Sequence, residues 1–260
     1  MILIPLRIAA ALGGSFWSFN WVLILVKTYV FLFGIALKRP RPVTIHLEFR
    51  SHPFEVTLQS SVELALIREI FLDHEYAHPH AENASVIFDV GANIGMASIY
   101  LACLYTDATV YAFESDPRVY ARLVKQVEGF ERIKPFHMAL GGTDGMRTFY
   151  IHPKSILSGS LVERVPNQEK VMVPSHRVSS ILDELGLDMV DVLKFDIEGG
   201  EEELFQSPED RARIGRVIGE VHLDILSTTK EKFASLFPEF DTEYTRRINE
   251  YRYLFFARKK

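Results

Sequence analysis

A glycine-containing turn between an apolar strand and an apolar helix is the clearest chemical signal in the sequence. The segment VIFDVGANIG ends its strand at Asp89, turns through Gly91, Ala92 and Asn93, and begins a helix near Gly95. Such a turn places a ligand at the helix N-terminus, where free backbone N–H groups point outwards. Glycine permits the sharp bend and lets a ligand approach the backbone closely. The pattern therefore predicts a cofactor site at this turn.

A carboxylate follows at the distance expected for a ribose-binding acid. Glu114 ends the next strand, YAFE, 19 positions after Gly95, where it can accept hydrogen bonds from both ribose hydroxyls. The turn lacks the middle glycine that lets a pyrophosphate touch the backbone, and Asp89 repels phosphate but suits an amino group and a sulfonium. S-adenosylmethionine thus fits better than a nicotinamide dinucleotide. The alternative is a simple tight turn, with Glu114 capping the next helix together with Ser115 and Asp116.

A second polar group lies in VDVLKFDIEGGEEELF, residues 190–205. A buried strand carries the catalytic candidates Lys194, Asp196 and Glu198 towards its carboxyl end, the edge at which open α/β sheets bind ligands. Because a charge on an apolar strand must be paired, we expect Lys194 and Asp196 to pair with each other or to face the cofactor crevice. The glutamates at 201–203 are expected to lie in solvent and to complement the helix dipole.

The candidate general bases lie at the same edge of the predicted sheet. Methyl transfer to an alcohol needs a base, and the candidates are Asp196, Glu198 and His222, which follows the strand segment GEV. The alternative for His222 is a buried histidine with a structural role. The histidines of HEYAHPH, residues 74–80, have ligand-like spacing, but a loop rich in His and Pro is more often solvated. We therefore expect no metal site.

Alternating strands and helices predict the framework that positions these residues. Strands are predicted at 85–90, 108–114 and 132–137, and helices at 61–71, 94–105 and 117–127. This alternation is typical of a parallel sheet covered on both faces. Residues 43–49 and 54–58 predict a small β-hairpin before that sheet. Residues 142–176 contain many turn residues between short strand-like runs such as MRTFYI and KVMVP, and they predict an irregular insertion.

The first 37 residues are strongly apolar, and the domain is expected at 43–260. No residue is charged from Ile8 to Val26, a length that could span a bilayer, although Lys27 argues against it. Helices lying on the membrane, helices packed on the domain, and a cleaved secretory signal are the alternatives. The basic run KRPRP at 38–42 would keep the domain on the cytoplasmic side. We expect a cytoplasmic protein, with attachment to the membrane face through residues 8–37 left open.

Charge and cysteine content exclude two classes of site. The net charge of -5 and a pI near 6.0 disfavour a broad phosphate-binding surface, so no nucleic-acid partner is expected. Cys103 is the one cysteine, which excludes intramolecular disulfides and cysteine-based zinc sites.

Five segments carry a resemblance to a known family: DVGANIG, AFESDP, HMALGG, VDVLKFDIEGGE and GEVH. In their order and separation they resemble the FkbM-type family of class I S-adenosylmethionine-dependent methyltransferases. The resemblance spans roughly residues 40–257. It implies a Rossmann-like α/β fold, with a mostly parallel seven-stranded sheet, helices on both faces and an antiparallel hairpin at one edge. It also implies, typically, O-methylation of a hydroxyl group on a sugar, glycan or secondary metabolite.

The resemblance further implies roles for individual residues. The methionine part of the cofactor would contact the turn residues Asp89, Gly91, Ala92, Asn93 and Gly95. The ribose would contact Glu114 with Ser115 beside it, the adenine would lie near Ala139 and Leu140, and the reacting centre would lie near Asp196 and Glu198. A nitrogen or carboxylate acceptor, a membrane-attached cofactor-binding scaffold without turnover, and a nicotinamide oxidoreductase remain the alternatives.

Overall fold

The computed structural model describes residues 3–13, 19–39, 41–77, 83–152, 159–164, 166–247 and 249–260. The chain forms two compact units, Met1–Ala77 and His78–Lys260.

The first unit consists of helices around a β-hairpin. Its elements are α1 (Ile4–Leu12), α2 (Phe19–Ala36), β1 (Val43–Phe49), β2 (His52–Leu58) and α3 (Ser61–Ile67), followed by a π-helical turn, Arg68–Leu72. The strands pair antiparallel from Val43 opposite Leu58 to Phe49 opposite His52, which confirms the predicted hairpin. Internal contacts group this hairpin with the N-terminal helices.

One face of α2 is apolar and open to solvent. Ile24, Thr28 and Phe31 are buried on the opposite face, where Lys27 donates a hydrogen bond to the carbonyl oxygen of Thr44 at 2.8 Å. The exposed apolar residues are spaced by three, four and seven positions, which places them on one side of the helix: Val22, Val26, Tyr29, Val30, Phe33 and Leu37. In the described parts of the chain, no helix combines the length and apolarity that crossing a membrane requires.

The second unit alternates strands and helices. In chain order its elements are β3 (Val86–Val90), α4 (Met96–Leu104), β4 (Thr109–Glu114), α5 (Pro117–Val127), β5 (Ile133–His137), β6 (Ala139–Leu140), β7 (Gly145–Ile151), β8 (Glu169–His176), α6 (Val178–Glu184), β9 (Val190–Phe195), α7 (Glu201–Phe205), α8 (Pro208–Ala212), β10 (Ile214–His222), α9 (Leu223–Leu226), α10 (Lys230–Ala234), β11 (Phe240–Arg247) and β12 (Arg252–Lys259). The strands and helices predicted between residues 85 and 137 are confirmed to within a few residues.

Seven of these strands form one sheet in the order β11-β12-β10-β9-β3-β4-β5. Strands β5, β4, β3, β9 and β10 are parallel, and β12 and β11 form the antiparallel edge, as expected. The chain runs from β3 outwards to β5 and then returns to the other side of β3 as β9. Right-handed crossover connections therefore lead across the sheet in opposite directions from β3, which places helices on both faces of the sheet. A crevice opens between them where β3 and β9 end.

The insertion is more regular than predicted, because its strand-like runs pair in a small sheet. The runs MRTFYI and KVMVP form most of β7 and β8, which pair antiparallel, while β6 pairs parallel to β8. Alternate residues of these strands, Phe149, Ile151 and Val173, bury a separate apolar cluster with Ala139. Burial of every second residue stabilises these strands, although many turn residues surround them in the sequence.

Aromatic packing fixes the short helix α7 against the sheet. Phe205, at the end of α7, lies 5.1 Å from Phe195 and 4.9 Å from Phe237 between ring centroids, and all three rings are buried. Such pairs add about 0.5–1.5 kcal/mol each beyond the burial of their area. The start of α7 is therefore held rigidly beside the end of β9.

Candidate active site

The glycine turn after β3 is shaped by its contact with the segment after β9. Gly91 has a φ of +75°, and a Cβ atom there would lie 2.1 Å from the backbone oxygen of Asp196. The N–H groups of Gly91 and Ala92 both donate to the carbonyl oxygen of Phe113, at 3.0 and 2.9 Å. Glycine is therefore required here by close approach as well as by conformation.

Gly91→Ala should weaken S-adenosylmethionine binding by more than tenfold and destabilise the fold by about 1–3 kcal/mol, because the turn must move away from Asp196. Calorimetry and urea unfolding measure both effects. Gly186→Ala is the matched control: Gly186 has a similar φ of +66°, but a Cβ there meets no atom within 4 Å. The steric argument fails if the two variants behave alike.

Glu114 joins the turn to the end of β4. Its Oε2 accepts a hydrogen bond from the N–H of Asn93 at 2.9 Å, and its Oε1 accepts from the N–H of Asp116 at 2.7 Å. Asp116, not Glu114, caps α5, by accepting from the N–H of Arg118. A carboxylate has about four acceptor positions, so Glu114 keeps capacity for two further donors such as ribose hydroxyls.

Burial raises the pKa of Glu114 to about 7, against the lowering effect of the N–H groups of Asp116 and Asn93. Because only the carboxylate accepts from both ribose hydroxyls, S-adenosylmethionine affinity should fall about tenfold between about pH 8 and about pH 6. Calorimetry at several pH values measures this. Glu114→Gln should bind weakly and lose this part of the pH dependence, whereas an unchanged profile would contradict the assignment.

A cleft of about 640 Å³, counted to its mouth, opens beside Glu114 at the ends of β3, β4 and β9. Six of the residues predicted to bind the cofactor line it: Gly91, Asn93, Glu114, Ser115, Ala139 and Leu140. Two predicted catalytic residues, Asp196 and Glu198, line its other side.

The other predicted cofactor residues support the turn from behind. Gly95 has a φ of +88° and begins α4, and a Cβ atom there would lie 2.8 Å from Leu123 and 2.9 Å from Val127 of α5. Asp89 is fully buried and accepts from the hydroxyl of Ser98 at 2.5 Å. Neither they nor Ala92 line the cleft.

Lys194 is paired with Asp89 and not with Asp196, whereas Asp196 takes the other expected position and faces the cofactor crevice. Its Nζ lies 2.8 Å from Oδ1 of Asp89 and donates to the carbonyl oxygen of Gly91 at 2.9 Å. Burial is the largest single influence and lowers the pKa of Lys194, but the charge and hydrogen bond of Asp89, together with the charges of Asp196 and Glu114, raise it by more, so the net shift is upwards. The ion pair therefore bridges β3 and β9 and holds the turn. It does not line the cleft.

An acid–base cluster lies where β9 and β10 end. Nε2 of His222 is 3.8 Å from Oδ1 of Asp196, 3.7 Å from Oε2 of Glu198 and 3.5 Å from Oε1 of Glu220. Burial alone lowers the pKa of His222, but the hydrogen bond to Glu201 and the neighbouring acids raise it to about 9. The acids of the cluster thus favour the protonated, cationic form of His222 beside the cleft.

Glu198 is held in a strained conformation by several partners. It has a φ of +54°, which is uncommon for a residue with a side chain. Its Oε2 accepts from Arg164 at 2.5 Å, and its backbone oxygen accepts from the hydroxyl of Ser160 at 2.7 Å. Backbone strain of this kind is concentrated at functional sites, and here it turns the carboxylate towards the cleft.

Glu201 is a member of this cluster that the sequence interpretation placed wrongly. It was expected in solvent, but it is fully buried, and its Oε1 lies 2.6 Å from Nδ1 of His222. The missed signal is its spacing: Glu201 precedes Leu204 and Phe205 by three and four positions, which places it on the buried face of α7. Glu203 is half-buried and pairs with Arg147 of β7.

The histidine-rich loop is described only in part. Its first histidine, His74, lies in the first unit, and His78 and His80 lie outside the described residues. The expectation that this loop binds no metal therefore stays a prediction.

Residues 89–254 match the model of the methyltransferase FkbM domain. Methyltransferase sdnD of Sordaria araneosa is 28% identical over 184 residues, which cover 58% of this chain and 71% of that protein. The 31-O-demethyl-FK506 methyltransferase FkbM of Streptomyces tacrolimicus is 29% identical and covers 60% of this chain and 74% of its own length. The 2-O-methyltransferase NoeI of Sinorhizobium fredii is 27% identical, with coverages of 46% and 55%. The match covers more than half of the chain and contains both the glycine turn and Glu114. This chain therefore belongs to the FkbM family of S-adenosylmethionine-dependent methyltransferases.

Proposed function

We propose that this protein transfers a methyl group from S-adenosylmethionine to a hydroxyl oxygen of a sugar, glycan or secondary metabolite. One observation carries the proposal: Asp196 and Glu198 line the same cleft as Glu114, and His222 contacts both acids from behind. An alcohol attacks efficiently only if its proton is removed, so a cleft that combines a cofactor site with several bases suits an oxygen acceptor.

The proposed cofactor orientation follows from the residues that line the cleft. The methionine part would lie at the turn, near Gly91 and Asn93, and the ribose hydroxyls would donate to Glu114. The adenine would lie between the residues at the β5–β6 end of the cleft, Ala139 and Leu140. This orientation directs the methyl group towards Asp196 and Glu198.

The cofactor supplies an electrophilic methyl group, and the chain's own residues orient the acceptor and accept its proton. The acceptor oxygen must lie in line with the sulfur–methyl bond, because the reaction is a direct displacement. Asp196 and Glu198 line the cleft and are the candidate acceptors for the hydroxyl proton, and His222 lies beside both of them. The names of two relatives, a 31-O and a 2-O methyltransferase, support an oxygen acceptor.

Incubation with methyl-labelled S-adenosylmethionine and a panel of acceptors tests the proposal. The panel should pair each alcohol with the amine and the carboxylic acid of the same skeleton. Label on ether oxygens of sugar or polyketide-like alcohols supports the proposal. Label on nitrogen or carboxylate would replace it with the alternative acceptor, and cofactor binding without any transfer would contradict it.

We also propose that α2 contacts an anionic membrane surface. Its five exposed apolar residues form one face that Leu37 continues. α2 contains no acidic residue, and Lys38, Arg39 and Arg41 follow directly as exposed cations. An apolar helix face flanked by basic residues lies in the membrane–water interface, where the basic residues contact lipid phosphates. The proposed contact would bring a lipid-linked acceptor to the enzyme.

The double variant Val30→Glu and Phe33→Glu should reduce flotation with phosphatidylserine-containing vesicles by about tenfold or more, because two charges would enter the apolar layer. The matched control is Met172→Glu, an equally exposed apolar residue of β8. If the wild type stays in the unbound fraction, or if the double variant floats equally well, the proposed contact is wrong.

A further inference from the structure

Three donor atoms converge at the end of the acid–base cluster. One carboxylate oxygen each from Asp196 and Glu220 and one ring nitrogen of His222 lie within 4.8 Å of one another. Two ligands bound at about 2.1 Å from a cation are at most about 4.2 Å apart, so small side-chain rotations bring all three into range. The residues come from the ends of β9 and β10, two neighbouring parallel strands.

The imidazole of His222 has the orientation of a metal ligand. Its Nε2 is buried and has no hydrogen-bond partner among the described residues, although its side chain is only 1% exposed. Buried polar atoms are nearly always paired, so this nitrogen indicates a missing partner. Its other nitrogen, Nδ1, contacts the buried carboxylate of Glu201 at 2.6 Å. A carboxylate on one ring nitrogen is the usual support for a histidine that binds metal through the other.

Carboxylates outnumber guanidinium groups around these atoms. The carboxylates of Asp196, Glu198, Glu201 and Glu220 all lie within 4 Å of the imidazole of His222. Arg164 pairs with Glu198 at 2.5 Å, and Arg252 lies 3.7 Å from Glu220 and 3.8 Å from Glu198. The local charge therefore favours a cation, and a metal ion bound there would replace the proton on Nε2 of His222.

We propose that Asp196, Glu220 and His222 bind a divalent cation that accepts both imidazole nitrogen and carboxylate oxygen, such as Mn²⁺ or Zn²⁺. This inference rests on the proposed function for its role, because Asp196 also lines the cofactor cleft. A cation held there would bind the acceptor hydroxyl and lower its pKa. The hydroxyl proton passes to Glu198, the oxygen–methyl bond forms as the sulfur–methyl bond breaks, and S-adenosylhomocysteine leaves without the sulfonium charge.

Calorimetric titration of the full chain with Mn²⁺, after treatment with a chelator, tests the site without any acceptor. We expect one ion per chain, and at least tenfold weaker binding in both Glu220→Gln and His222→Gln. Glu243→Gln, which changes an exposed glutamate of β11, should bind like the wild type. Circular dichroism checks that each variant is folded, and Glu220 is the safer position because it is only half-buried.

The outcomes separate this inference from the proposed function. The metal site is overturned if the folded wild type binds neither Mn²⁺ nor Zn²⁺. It is also overturned if the wild type and all three variants bind the ion equally well. Methyl transfer that continues in excess chelator would also overturn it, while leaving the methyltransferase assignment intact. Metal binding with no transfer to any alcohol would keep the site and contradict the proposed reaction.

Discussion

Lys194→Met should destabilise the protein by about 3–5 kcal/mol, because it leaves the carboxylate of Asp89 buried without its cation. The two side chains are at most 3% exposed, and the Nζ–Oδ1 distance is 2.8 Å. The variant also removes the hydrogen bond to the carbonyl oxygen of Gly91. Urea unfolding followed by circular dichroism measures the loss, which should appear as a lower midpoint with a similar slope.

A double variant distinguishes the destabilisation caused by the unpaired charge from the destabilisation caused by lost packing. Asp89→Asn combined with Lys194→Met removes both charges, and the new amide oxygen could still accept from the hydroxyl of Ser98, so most of the stability should return. Lys170→Met is the control, since Lys170 forms an exposed pair with Glu163 at 3.7 Å that contributes less than about 1 kcal/mol. A double variant as unstable as Lys194→Met would show that packing, not charge, dominates.

Local patterns in the sequence predicted the sheet and the residues around the cleft. The turn at Gly91 and Gly95 and the carboxylate at Glu114 were recognisable because their positions follow directly from strand and helix ends. The partner of Lys194 was not, because Asp89 lies on a different strand and the choice between two nearby aspartates depends on register. Asp89 is directly opposite Lys194 in the sheet, which settles the pairing.

Glu201 and Glu220 show a second limit of sequence reasoning. Both belong to acidic or mixed segments in which a solvated side chain is the ordinary expectation. Glu201 is buried because Phe205 fixes α7 against β9, and this depends on aromatic contacts with residues far along the chain. The acid–base cluster therefore becomes visible only when the ends of β9, α7 and β10 are placed together.

Asp196→Asn should lower the rate of methyl transfer by about 10²–10⁴-fold while changing S-adenosylmethionine affinity by less than about threefold. Asparagine keeps the size of the side chain but removes the negative charge that faces both the cleft and Nε2 of His222. Single-turnover assays with an acceptor found in the panel give the rate, and calorimetry gives the affinity.

The control for this prediction is Asp241→Asn, the same chemical change at an exposed position of β11, which should leave both quantities unchanged. If Asp196→Asn loses cofactor binding in parallel with the rate, Asp196 acts mainly by holding the cofactor. If neither quantity changes, the acceptor proton is removed elsewhere, and the cluster around His222 is structural. A loss of rate at saturating acceptor, with intact cofactor binding, assigns Asp196 to the transfer step, because an interaction made mainly in the transition state lowers kcat without changing affinity.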